Sequence, residues 1–186
     1  MSLRRVKIVL LCEDSQHEAF VRRFLKGMGW NTREMRVEKS PSKEGSAEQW
    51  VRENFPRELK IYRQRRQKAA SALIAMIDAD NKEVQERIDE FKTACNLQQM
   101  PFRTDDEEVA LVVPRRNIET WIYFLDGNKV NEQEVYPKLD RERRCKSAVK
   151  NLVRFCKSAG LVQDAPHALT SACDEYRTRI RPFRKT

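Results

Sequence analysis

KIVLLCEDSQHEAFVRRFL, residues 7–25, is the stretch that decides the fold. From Ile8 to Cys12 it is an uninterrupted apolar run, as expected of a strand that is covered on both faces. The run stops at two acids, Glu13 and Asp14, and apolar residues then return at helical spacing. A buried strand followed at once by a helix predicts the first half of a strand–helix–strand unit.

The same alternation continues to about residue 126. Further strands are predicted at REMRVE (33–38), SALIAMID (71–78) and EVALVVP (108–114), and helices at 15–29, 47–68 with a break near Pro56, 81–96 and 117–125. Strands that alternate with helices favour a parallel sheet with helices on its faces. The predicted fold class is therefore α/β, with a parallel sheet flanked by helices.

The pattern changes after residue 126. No strand-like run follows, whereas RERRCKSAVKNLVRFCKSAG (141–160) has the apolar spacing of an amphipathic helix, and residues 166–180 suit another. We therefore expect an α/β domain over residues 1–126 and a helical C-terminal extension, residues 127–186, packed on it.

Composition excludes several classes of protein. The chain has 186 residues, of which 40% are hydrophobic, enough for a buried core. It has no apolar run of the ~18 residues that a membrane span needs, and its N-terminal apolar segment ends in acids, so we expect a cytoplasmic protein. Its five cysteines include no CxxC pair and predict reduced, buried thiols rather than disulfides or a zinc cluster. Two histidines are too few for a histidine-rich metal site.

The positive charge of the chain is unevenly distributed. Residues 1–126 hold 23 Lys/Arg and 21 Asp/Glu, a net charge of +2, whereas residues 127–186 hold 14 and 7, a net charge of +7. A basic third on a nearly neutral body favours a polyanionic partner, most simply nucleic acid. A solvated helical surface is the alternative.

Acidic residues follow three of the predicted strands. Glu13 ends the first, Asp78 and Asp80 end the run ALIAMI, and Glu119 lies one turn into the helix after the last. Because parallel strands end at the same edge of a sheet, these carboxylates are expected to converge there. Like charges so placed need compensation, and an oxygen-only ligand set favours Mg²⁺ or Mn²⁺.

Each acid also has a simpler interpretation. Glu13 or Asp14 would serve as a helix cap, Asp78 and Asp80 as turn residues, and Glu119 as a favourable charge in the first turn of a helix. Convergence of several strand ends on one edge favours the metal site over these separate roles.

Basic residues are predicted to contact a phosphodiester at this site. Lys39, Lys43, Arg115 and Arg116 are expected at the same edge, and the basic helix with Arg143, Arg144 and Lys150 is expected to follow the nucleic-acid backbone. Removing one acid from the site is expected to leave stability unchanged or to raise it, because repulsion among the remaining acids is relieved.

Two families share this arrangement of acids. A response-regulator receiver also has paired acids after its first strand, but here Asp78 lies 65 residues beyond Glu13 and no Thr/Ser and Lys pair follows. The chain more closely resembles the Toprim domain of topoisomerases, primases and overcoming-lysogenisation-defect nucleases. The resemblance rests on VLLCEDSQHEAF, IAMIDADN and RRNIETWIYFLDG within residues 6–126, although the family usually has Gly where Asp14 stands.

The Toprim resemblance implies a function. Glu13, Asp78 and Asp80 would be catalytic metal ligands, supported by Glu119, in a Mg²⁺- or Mn²⁺-dependent nuclease. Similar stand-alone proteins are associated with ATPases of the ABC/SMC type in phage defence, so such a subunit is an expected partner beside nucleic acid. The alternative is a non-catalytic module that binds nucleic acid or an ATPase on a degenerate Toprim scaffold.

Overall fold

The computed structural model describes residues 6–41, 45–158, 160 and 163–180. The elements in chain order are β1 Lys7–Cys12, α1 Ser15–Gly27, β2 Arg36–Lys39, α2 Ala47–Arg66, β3 Ser71–Met76, α3 Val84–Leu97, β4 Val109–Val112, α4 Ile118–Leu125, a 3₁₀ helix Glu142–Cys145, α5 Lys146–Lys157, α6 His167–Glu175 and a π-helical turn Tyr176–Ile180. The four strands are all parallel, in the order β2-β1-β3-β4. The predicted α/β class is confirmed.

Both faces of the sheet are covered, which explains the uninterrupted apolar runs. Successive residues of a strand point to opposite faces. Leu10 and Ile74 point to one face and pack in a core with α1, α4, α5 and α6. Leu11 and Leu73 point to the other face, in a second core with α2 and α3.

Helix α2 continues through Pro56, so the predicted break is wrong. A proline inside a helix removes one hydrogen bond and crowds the preceding turn, at a cost of about 3 kcal/mol. Val51, on one side of Pro56, and Phe55 and Leu59 beside and beyond it are fully buried in the same core. Burial of three large side chains offsets the cost, at roughly 1.5–3 kcal/mol each.

The C-terminal region is helical and shares the core of the sheet. Leu152 of α5 and Cys173 of α6 are buried in the same cluster as Phe24 and Leu25 of α1. Trp30 Nε1 donates to Tyr176 Oη at 3.0 Å and adds a polar link between the two regions. No strand occurs in the described part of residues 127–180. The division of the chain at residue 126 stays a prediction.

None of the helices in the described ranges has the length and apolarity needed to cross a membrane.

The strand order reverses between β1 and β3. From β1 the chain moves to β2 on one side, then returns to β3 on the other side of β1. Helices that follow β1 and β2 therefore leave on opposite faces of the sheet. In open parallel sheets such a reversal of strand order leaves a ligand-binding crevice at the carboxyl ends of the strands. Glu13 follows β1 at this point, and Asp78 follows β3.

Candidate metal centre

The two adjacent acids after β1 have different roles. Asp14 is the N-cap of α1, and its Oδ1 accepts hydrogen bonds from the backbone N–H groups of Gln16 at 2.9 Å and His17 at 3.0 Å. Glu13 turns instead towards β3, where its Oε1 accepts a hydrogen bond from the backbone N–H of Asp78. Asp14 therefore acts as a helix cap, and of these two acids Glu13 is the candidate metal ligand.

A histidine completes the site. His17 lies in the first turn of α1, is 0% exposed, and places its Nε2 3.1 Å from Asp78 Oδ1. One potential ligand atom from each of Glu13, His17 and Asp78 lies within 4.8 Å of the other two. The predicted proximity of Glu13 and Asp78 is confirmed, but the group contains a nitrogen and is not the oxygen-only set expected from the sequence.

His17 was not predicted as a site residue, because two histidines are too few for a histidine-rich metal site. The available signal was position, since His17 follows Glu13 by four residues and the cap Asp14 by three. Side chains of a helix lean towards its N-terminus. A first-turn residue of the helix after β1 therefore lies close to the carboxyl edge of the sheet.

The three groups strongly perturb one another. Burial raises the pKa of Glu13 to about 7, with His17 opposing the rise and Asp78 adding to it. Burial acts to lower the pKa of His17, but the charge and hydrogen bond of Asp78, together with the charge of Glu13, raise this pKa to about 9. Without a metal ion, the proton on His17 therefore balances the neighbouring carboxylates at neutral pH.

Asp80 lies outside this three-residue group. Its backbone is left-handed, with φ 53°, and its side chain is 56% exposed and pairs with Arg87 at 3.1 Å. Burial and the charge of Asp78 raise the pKa of Asp80. The carboxylate of Asp80 thus has a partner of its own, and its role as a metal ligand stays a prediction.

Glu119 faces the same edge from the first turn of α4. It is 2% exposed. Burial raises its pKa to about 7, the charge of Asp78 adds to the rise, and Lys138 opposes it. The charge of Asp78 therefore acts on Glu119, whose role as a supporting acid or metal ligand stays a prediction.

Arg115 and Arg116 are both bound within the protein. Arg115 is buried and its Nη2 pairs with Glu83 Oε1 at 2.7 Å, while Arg116 donates from Nε to the carbonyl oxygen of Gln133 at 2.9 Å. Lys39 donates to Ser15 Oγ at 2.9 Å. Lys43 lies outside the described residues. Nucleic-acid contact by Arg115 and Arg116 stays a prediction.

The three cations predicted to follow the nucleic-acid backbone lie at the surface of the C-terminal region. Arg143, Arg144 and Lys150 are all exposed, and Arg144 pairs with Asp140 at 3.1 Å. The 3₁₀ helix that carries the two arginines adjoins the start of α1, because Gln16 Nε2 donates to the carbonyl oxygen of Glu142 at 3.4 Å. The basic surface thus begins beside the helix that carries His17.

Lys138 is a second residue near the site that the sequence did not predict. Its side chain is 80% exposed, and its Nζ lies 3.9 Å from Asp14 Oδ2. It therefore places a positive charge beside the cap of α1. No local motif marked it, because the irregular segment that contains it is positioned by contacts distant in sequence.

The donor set fits a divalent metal ion. Carboxylates are ligands of Mn²⁺, and an imidazole is a common ligand of first-row transition-metal ions such as Zn²⁺ and Fe²⁺. His17 Nδ1 is buried and has no hydrogen-bond partner among the described residues, so Asp78 and the surrounding packing orient the ring. A metal ion at Nε2 requires His17 to be neutral, so it has to replace the proton.

Comparison with known proteins gives no family assignment: no family model, no curated protein and no solved structure matches the chain. The fold and the site define a class by themselves. The chain is a parallel α/β protein with a Glu–His–Asp group, able to hold a metal ion, at the point where the strand order reverses.

Proposed function

We propose that this chain is a metal-dependent nuclease with a Toprim-like site. The observation that carries the proposal is the convergence of Glu13, His17 and Asp78 within 4.8 Å at the carboxyl ends of β1 and β3. These residues come from the ends of adjacent parallel strands and from the helix that follows one of them. This arrangement suits a ligand site rather than three separate helix caps or turns.

In the proposed nuclease, Glu13, His17 and Asp78 hold the ion, and Asp80 joins them after release from Arg87. A bound divalent ion supplies Lewis acidity towards a phosphoryl oxygen and lowers the pKa of a coordinated water. Lys138 and the exposed Arg143 offer positive charge to the phosphates. The remainder of the basic surface on α5 follows the nucleic-acid backbone.

The presence of His17 bears on which ion is bound. Mg²⁺ prefers oxygen ligands and gives up its water reluctantly. Imidazole binds more readily to ions later in the first transition series. Of the two ions expected from the sequence, Mn²⁺ is therefore the better match, and we propose it as the first ion to test.

A second function is favoured by a specific observation. His17 neutralises Asp78, and Arg87 neutralises Asp80, so these acids are compensated without a metal ion. A degenerate Toprim scaffold with such a site would act as a non-catalytic module for nucleic acid or for an ATPase of the ABC/SMC type. For either function we propose a role in phage defence, which is what the Toprim resemblance of the sequence implies.

One experiment separates the two functions. The chain is incubated with single- and double-stranded DNA and RNA in Mg²⁺, Mn²⁺ or Zn²⁺, beside Asp78→Asn and His17→Gln. Asp89→Asn, which removes an exposed acid on α3, is the matched control. The nuclease proposal expects cleavage that both site variants lose and the control keeps. Binding without cleavage by every form favours the non-catalytic module.

A further inference from the structure

An irregular segment, residues 128–141, crosses the carboxyl edge of the sheet between α4 and the 3₁₀ helix. We call it the strap. Asn117, the N-cap of α4, donates from Nδ2 to the carbonyl oxygen of Tyr136 at 3.0 Å. Two residues later, Lys138 lies 3.9 Å from the N-cap Asp14 of α1. The strap therefore extends from the β4 side of the edge to the β1 side. On this path it passes Glu13, His17 and Asp78, which we call the metal group.

Arg116 joins the strap to the segment that carries Asp78 and Asp80. Its Nε donates to the strap at the carbonyl oxygen of Gln133, 2.9 Å away, and its Nη1 donates to the carbonyl oxygen of Asp80 at 3.2 Å. Its own carbonyl oxygen accepts a hydrogen bond from the backbone N–H of Asp80 at 3.0 Å. One residue thus holds both the strap and the loop after β3.

The backbone of Arg116 is unusual for its residue type. Its φ is 65°, in the left-handed region, and among the described residues the only other non-glycine positions with positive φ are Asp80 and Gln99. Glycine adopts this conformation without the steric cost. An arginine in this conformation bears that steric cost, and backbone strain of this kind concentrates at functional sites.

Arg115 is a less specific anchor. It contacts Gln133 Oε1 at 3.2 Å, but it is buried and also binds Lys82 and Glu83 at the start of α3. Its replacement would disturb α3 together with the strap. Arg116 is only half-buried, and within the described part of the chain its side-chain hydrogen bonds go to the strap and to residues 80 and 81.

We infer that Arg116 is a positioning residue, which sets the strap, and Lys138 with it, against the metal group. The inference rests on the proposed function for its catalytic consequence, but not for the anchoring itself. It differs from the role expected for Arg116 from the sequence, direct contact with phosphate, which stays a prediction. Nε and Nη1 of Arg116 already donate to three acceptors within the protein, which leaves fewer of its five N–H donors for a substrate.

Three variants test the anchor. Arg116→Gly keeps the left-handed backbone and removes the anchoring side chain, whereas Arg116→Lys keeps a donor. Gln99→Gly relieves the same type of backbone conformation at a position after α3 and is the matched control. Hydrogen–deuterium exchange of peptides from residues 128–141 is the first readout. We expect exchange to rise about tenfold in Arg116→Gly, to be largely restored in Arg116→Lys, and to stay unchanged in Gln99→Gly.

Kinetics supply the second readout. With a cleavable oligonucleotide, Arg116→Gly is expected to raise KM about tenfold with a smaller change in kcat, because Lys138 no longer stands in a fixed position, and Arg116→Lys is expected to recover most of the loss. If strap exchange in Arg116→Gly equals that of the wild type, the inference is wrong whatever the activity. If the wild type cleaves nothing, the proposed function fails, while increased strap exchange in Arg116→Gly still supports the anchor.

Discussion

At the scale of single residues, the site depends on which of two adjacent acids caps α1. Asp14 accepts two backbone hydrogen bonds at the helix start, which leaves Glu13 to turn towards β3. The same cap fixes the first turn, and so it brings His17 to Asp78. Replacement of Asp14 would therefore disturb the metal group without removing any of its members.

The ion pair between His17 and Asp78 should dominate the response to mutation. Asp78→Ala leaves a buried imidazolium without its partner, and breaking a buried pair costs about 3–5 kcal/mol. Because Asp78 is 16% exposed, we expect a loss of about 2–4 kcal/mol at pH 6. This reverses the sign expected from repulsion among acids alone.

A double-mutant cycle of His17→Gln and Asp78→Asn, followed by chemical unfolding at pH 6, measures the interaction. We expect a coupling free energy above about 1 kcal/mol, as for groups in direct contact. Losses that simply add would show that the two residues do not interact.

Glu119 should make stability depend on pH. Its pKa is about 7 in the folded chain against an ordinary value of 4.5, so the folded state holds the proton more tightly. The free energy of unfolding therefore falls as pH rises from 4.5 to 7. Glu119→Gln removes the ionisable carboxyl group and with it the cost of charging a buried side chain. We expect the substitution to stabilise the metal-free protein by about 2 kcal/mol at pH 8 and by almost nothing near pH 4. Thermal unfolding of the wild type and of Glu119→Gln between pH 4 and pH 8 measures this difference. An equal effect of the substitution at pH 4 and at pH 8 would contradict the prediction.

At the scale of elements, α1 is positioned by close contact with α5. A Cβ added at Gly27 would lie 2.6 Å from Val153 Cγ2. Alanine in a helix gains about 0.5–1 kcal/mol over glycine, but overpacking costs about 1–3 kcal/mol. We expect Gly27→Ala to destabilise the protein by about 1 kcal/mol, and Val153→Ala to suppress that loss in the double variant. The unfolding midpoints of the two single variants and of the double variant test this prediction. If Gly27→Ala is more stable than the wild type, α1 and α5 move apart at little cost.

Sequence patterns were sufficient for the elements but not for their arrangement. Uninterrupted apolar runs such as Val109–Val112 indicate strands covered on both faces because burial dictates composition. Strand order has no local signature, since pairing of β1 with β3 joins residues far apart in the chain. Glu13 and Asp78 could be predicted to lie close together because each follows an uninterrupted apolar run. The positions of His17 and Lys138 could not, because they depend on the rotation of α1 and on the path of the strap.

At the scale of the whole molecule, the positive charge is concentrated on residues 127–186. These carry +7 of the total +9. Salt-dependent binding of nucleic acid scales with the number of phosphates neutralised. The surface that binds should therefore be distinguishable from other basic surfaces on the same chain.

Charge reversal at two sites tests this distribution. Replacing Arg143, Arg144 and Lys150 by Glu should weaken binding of a DNA or RNA duplex and reduce the slope of log affinity against log salt by about 2–3. Replacing Arg57, Lys60 and Arg65, exposed on α2 across the sheet, gives the same change in net charge and should have a much smaller effect. Fluorescence anisotropy at several salt concentrations compares the two, and equal losses would mean that net charge alone governs binding.

The most direct test of the account is calorimetric titration of Mn²⁺ into the metal-free protein. We predict one bound ion per chain at pH 8, with an affinity that increases towards pH 9 because the ion has to replace the proton on His17, whose pKa is about 9. His17→Gln and Asp78→Asn should lose the site, and Asp89→Asn should keep it. Absence of binding by the wild type, or binding that both site variants retain, would contradict a metal centre at Glu13, His17 and Asp78.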